Sequence, residues 1–97
     1  TMKTIQGKIN DEEADKSLFP GSILFIPSAD PGYDWIFSRN IGGFVTMYGG
    51  VNSHMAIRAS EMAIPAVIGC GELLYKQWFA AKVLEISCSN RSVKILQ

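Results

Sequence analysis

The 97-residue sequence is poor in the groups that most enzymatic sites require. It holds one histidine, His54, which excludes any site built on two imidazoles. Its two cysteines, Cys70 and Cys88, lie far apart with no C-x-x-C spacing, which argues against a zinc site or a disulfide framework. Both are expected as small buried hydrophobes, and no metal site is expected. Nine Lys+Arg balance nine Asp+Glu, so the basic excess of a nucleic-acid binder is missing. No apolar run approaches the roughly 20 residues of a membrane span, and no charged region precedes an apolar one at the N-terminus. The expectation is a cytoplasmic chain without nucleic-acid or membrane partners. Neither G-x-x-x-x-G-K-[ST] nor G-x-G-x-x-G occurs, so no nucleotide or other cofactor is expected on this chain itself. Ser53 beside His54 is no hydrolase dyad either, because a G-x-S-x-G elbow is missing.

What is present is a hydrophobic supply: 47% apolar residues and ten per cent aromatics, with a mean hydropathy of +0.14. Disorder requires the opposite balance. The length allows one small domain, residues 1–97. It is too short to enclose two substrates.

Alternating short strands and helices are expected along the chain. Met2–Ile9 alternates loosely and reads as an edge strand, and residues 11–15 read as an acidic loop or frayed turn on the solvated surface. Pro20-Gly21 turns into a buried strand at Ser22–Ile26. One or two helical turns follow Pro31, carrying Trp35, Ile36 and Phe37. Gly42–Met47 is a second buried strand. Ser53–Met62 reads as a helix with Met55, Ala56, Ala59, Met62 and Ala63 on its core face. Ile64–Ile68 is a third strand, in which Pro65 belongs at the start or on an edge. Gly71–Ala80 holds a short helix, and Val83–Ser87 with Ser92–Leu96 form a hairpin. The fold class is α/β, a layered arrangement of short strands with two or three short helices.

One stretch departs from the even spread of charge. No acidic residue occurs from Trp35 through Ser60, although Arg39, His54 and Arg58 lie there. Six of the nine glycines fall between Gly42 and Gly71. Gly49-Gly50 before a helix serves as a plain strand-to-helix turn or, with free N–H groups and the helix dipole, as an anion-receiving loop. Asn52 or Ser53 is the natural N-cap. A histidine at that helix start is disfavoured as imidazolium and keeps one lone pair for attack, and the same amides would stabilise a phosphoryl group once attached. A satisfied surface or core histidine is the competing reading. Arg58, four residues on, shares a helix face with His54 and is placed to pair with a phosphoryl oxygen, unless it is merely a solvated residue.

The run Gly49-Gly50-Val51-Asn52-Ser53-His54-Met55-Ala56-Ile57, continuing to Ile64-Pro65-Ala66-Val67-Ile68-Gly69-Cys70-Gly71, resembles the phosphohistidine signature of the PEP-utilising enzymes. That family includes phosphoenolpyruvate synthase, pyruvate phosphate dikinase, the Enzyme I of the sugar phosphotransferase system and rifampin phosphotransferase. Asp30-Pro31-Gly32-Tyr33-Asp34-Trp35 is similar to the approach loop of the synthase and rifampin-type members, and Pro20–Leu24 to the first core strand. The resemblance covers about residues 17–96. It implies a swivelling β/β/α mobile domain, excised from or partner to a larger phosphotransferase, in which His54 accepts a phosphoryl group. Gly49 and Gly50 would shape the loop, and Ser53 would cap the helix. Mg²⁺ and ATP or PEP would belong to an ATP-grasp-like domain and a PEP/pyruvate or other acceptor domain, in cis or in trans. The family arginine falls on Ser60, and the glycine before Ile-Pro falls on Ala63. The alternative is a degenerate, non-catalytic swivel domain used for docking or regulation.

Overall fold

A computed structural model describes residues 3–49, 54–90 and 92–97. Its elements run β1 (Thr4–Asp11), β2 (Ile23–Ser28), β3 (Gly43–Tyr48), α1 (His54–Glu61), β4 (Ala66–Val67), α2 (Glu72–Phe79), β5 (Val83–Ser87) and β6 (Ser92–Ile95). Two 3₁₀ helices, Lys16–Leu18 and Pro31–Ser38, fill the connections before and after β2. The strands form one mixed sheet in the order β4-β3-β2-β1-β5-β6. β1 through β4 pair in parallel, whereas β5 pairs antiparallel with both β1 and β6.

β2 and β3 are buried on both faces, which is why they read as unbroken apolar runs. On one face Leu24, Ile26 and Phe44 meet Phe19, Ile36, Phe37, Met55 and Ala59 from the 3₁₀ segments and α1. On the other, Ile23, Phe25 and Val45 meet Leu84 and Ile86 of β5, with Tyr75 and Trp78 of α2 against them. For β5 to share a core with β2 and β3, the sheet must curl. A cavity of about 480 Å³ lined by both outer strands, through Ala66 and Val67 of β4 and Ser92 and Val93 of β6, marks how closely its two edges approach.

Several expectations are corrected. β1 is not an edge strand: Thr4–Lys8 pair with β5 and Ile9–Asp11 with β2. Its loose alternation reports only that one face is solvated, as Gln6 bonded to Glu85 shows; side-chain pattern says nothing of ladder partners. The acidic segment is, as expected, a surface turn, and it is anchored at both ends. Asp11 ends β1, and Asp15 caps the first 3₁₀ helix by accepting from the Ser17 amide. The segment after Pro31 is helical from Pro31 itself and is 3₁₀ throughout. The third strand shrinks to Ala66–Val67 on the sheet edge, and the Pro65 carbonyl accepts from Phe44 at 3.1 Å.

The core stripe of α1 is narrower than expected. Met55 and Ala59 are buried, whereas Ala56 and Met62 are exposed. Both cysteines are free and only half-buried, not interior. Partial burial nonetheless pushes the Cys70 thiol above its ordinary range. The closing hairpin forms as expected, with β5 and β6 joined through residues 88–91.

Candidate functional site

α1 follows β3 in the chain, which places His54 beyond the C-terminal end of a parallel strand, where ligands collect in open parallel sheets. Gly49 is exposed at the end of β3. The neighbouring loop is fastened beside it. Cys70 and Gly71 donate their amides to the carbonyls of Thr46 and Met47, and the Gly69 amide donates to the buried Thr46 hydroxyl at 2.9 Å. Of the expected site residues, Gly50, Asn52 and Ser53 lie outside the described residues. His54 is the first described residue of α1, and its half-exposed ring leaves it open to approach from solvent.

The 3₁₀ helix at Pro31–Ser38 packs against α1 and supplies a residue that was not among the expected site residues. Asp34 Oδ1 lies 3.1 Å from Nε2 of His54, and Asp34 Oδ2 accepts from Nη1 of Arg58 at 3.4 Å. One carboxylate therefore joins the two side chains, one oxygen to each. Ile36 and Phe37 hold the 3₁₀ helix in the core, which fixes Asp34 over α1. Arg58 meets His54 through that carboxylate. Its guanidinium also rests 5.3 Å above the Phe37 ring and donates to the Met62 sulfur.

Asp34 had a signal in the sequence that was easy to pass over. It is the last acid before the acid-free stretch from Trp35 to Ser60. The 3₁₀ segment folds that acid back onto the very stretch that lacks one. All three side chains are more than a third exposed, so water screens the pairs and each contributes little to stability. Ser60, where the family arginine falls, is exposed and lines a shallow groove with Ala56, Ile64 and Cys88. Among the described residues, no group of three or more His, Cys, Asp or Glu is placed to hold a metal. Nor is any described helix long and apolar enough to cross a membrane.

A half-exposed imidazole on a helix, tied to a carboxylate that also holds a guanidinium, can act as a nucleophile toward an electrophilic phosphorus. It can also hold the product within reach of a cation. The chain is similar to several known proteins. A phosphoenolpyruvate synthase of Aeropyrum pernix is 39% identical over 66 residues, which is 67% of this chain and 8% of that protein. A phosphoenolpyruvate-protein phosphotransferase of Haloferax volcanii is 38% identical over 65 residues, 65% of this chain and 12% of the relative. A rifampicin phosphotransferase of Bacillus cereus is 42% identical over 55 residues, 57% and 6% respectively. The chain thus spans about an eighth or less of the length of these relatives. Residues 18–90 match the family model described as PEP-utilising enzyme, mobile domain. This chain belongs to the mobile-domain family of the PEP-utilising enzymes.

Proposed function

We propose that this chain is a phosphoryl carrier: His54 is transiently phosphorylated and conveys the group between a nucleotide-binding site and an acceptor site on other domains. The observation that carries this reading is the placement of His54. It stands at the first described turn of α1, half-exposed, with Arg58 on the same helix face and within the span matched by the family. The imidazole lone pair would form the N–P bond, and the helix start and Arg58 would offset the phosphoryl charge. Donor, acceptor and Mg²⁺ would belong to the partner domains, ATP or PEP being the donor. On this reading, turnover would require those domains.

The test is phosphate incorporation into His54→Ala. With labelled ATP or PEP and the partner domains supplied in trans, the native chain should take up acid-labile label and the variant none, its circular dichroism unchanged. Label retained at the native level in His54→Ala would overturn the carrier reading. It would leave the docking or regulatory alternative standing.

A further inference from the structure

The carboxylate between His54 and Arg58 sits where a carrier has most to lose from a negative charge. A carboxylate only accepts hydrogen bonds, so the ring nitrogen facing Asp34 Oδ1 must carry the proton. In the resting protein that nitrogen is Nε2, so Nε2 has no lone pair with which to attack phosphorus. A phosphoryl group on Nε2 would occupy the space that Oδ1 now fills. The same carboxylate engages the guanidinium that would otherwise face the phosphoryl oxygens.

Building on the carrier reading, we infer that Asp34 is a positioning residue that opposes phosphorylation of His54, holding the ring by Nε2 and Arg58 by its guanidinium until the phosphoryl group displaces it. On transfer, the ring proton passes from Nε2 to Nδ1 through solvent. The Nε2 lone pair forms the N–P bond, the donor's bond to phosphorus breaks, and the leaving group departs with that bonding pair. Asp34 gives up the ring, and Arg58 turns from carboxylate to phosphoryl. When the group moves on, Asp34 returns. A carrier benefits from this opposition, because a phosphoryl group held too tightly would not be passed to an acceptor. Both pairs are partly exposed, so the latch is weak enough for an incoming donor to open.

Potassium phosphoramidate tests this on the 97-residue chain without any partner domain. Here histidine attacks phosphorus, the P–N bond of the reagent breaks, and ammonia leaves. Phosphorus NMR would follow the phosphohistidine in the native chain, Asp34→Asn, Asp34→Ala and His54→Ala. Asp34→Asn should hold about three- to fivefold more phosphohistidine at equilibrium, the factor for removing one partly exposed charge interaction. It should also lose the group more slowly. Nitrogen-15 NMR of the unphosphorylated ring should show the proton on Nε2 in the native chain, and that preference should be lost in Asp34→Ala. Equal or lower phosphohistidine in both Asp34 variants, or a native ring protonated on Nδ1, overturns the inference while the carrier reading stands. Label in His54→Ala equal to the native level overturns the carrier reading instead.

Discussion

The Ile64 amide donates to the Ala59 carbonyl at 2.9 Å, closing α1 across a residue in the left-handed region, Ala63 at φ 53°. The Ala63 amide donates in turn to the Ser60 carbonyl at 3.2 Å. These two bonds are a Schellman cap, and Ile64 packs in the same core as Ala59. The cap asks for glycine at the position Ala63 holds, since a Cβ there costs about 1–2 kcal/mol. Ala63→Gly should therefore stabilise the fold by about 1 kcal/mol, a rise in melting temperature of roughly 4–8 °C for a domain of this size. Thermal melts decide it. A lower melting temperature would show that glycine's greater freedom in the unfolded chain outweighs the strain.

Thr46, fully buried in β3, fastens the loop beside the site. Its hydroxyl accepts from the Gly69 amide and donates to the Tyr48 carbonyl, each at 2.9 Å. Thr46→Val keeps the shape and removes both bonds, at an expected cost of about 1–3 kcal/mol for the groups left unpaired. Thr46→Ser should recover most of that loss. Amide hydrogen exchange at residues 69–71 should accelerate in the valine variant before the rest of the sheet does. Uniform exchange rates across both proteins would show that the loop does not depend on this hydroxyl.

Much of the fold was readable because burial on two faces and turn chemistry leave marks in the sequence. β2, β3 and the hairpin of β5 and β6 appear where apolar runs and turn residues placed them. Pro65 marked the sheet edge through its missing donor. The position of β1 was not readable, since hydrogen-bond partners on either side of a strand leave no trace in alternation. The site was half legible. His54 and Arg58 stood out by spacing on one helix, a local relation that sequence preserves. Asp34 reaches them across 20 and 24 residues through a 3₁₀ segment, and such a meeting exists only after Ile36 and Phe37 have docked in the core.

Alkaline pH should reveal the burial of Tyr75. Its phenol is pushed from 10.0 up to about 12, first by burial and then by the carboxylates of Glu12 and Asp11. The folded state thus holds this proton more tightly than the unfolded chain. Its contribution to stability is fully present below pH 10 and is lost as pH rises toward about 12. Tyr75→Phe keeps the ring against Phe25 and Phe79 but has no proton to lose. The melting temperature of the variant relative to the native chain should therefore climb across that window. Absorbance at the phenolate band should place the Tyr75 ionisation near the top of it. Parallel melting curves for the two proteins from pH 9 to pH 12 would contradict the assignment.

Arg58 should matter more to the phosphorylated state than to the fold. Its pair with Asp34 is half-exposed, and such pairs contribute less than about 1 kcal/mol. Arg58→Ala should accordingly melt close to the native chain, with a small loss from the uncovered Phe37 ring. Phosphohistidine formed with phosphoramidate should fall about fivefold, the factor for losing one charge-assisted contact of roughly 1 kcal/mol at a screened site. Arg58→Lys keeps the charge but not the two-pronged geometry, and should recover only part of that loss. In the double variant Asp34→Asn with Arg58→Ala, the gain from removing the carboxylate should shrink, because part of that gain is the freeing of Arg58. Fully additive effects in the double variant would show that Asp34 acts on the ring alone. Native phosphohistidine levels in Arg58→Ala would remove the guanidinium from the site altogether.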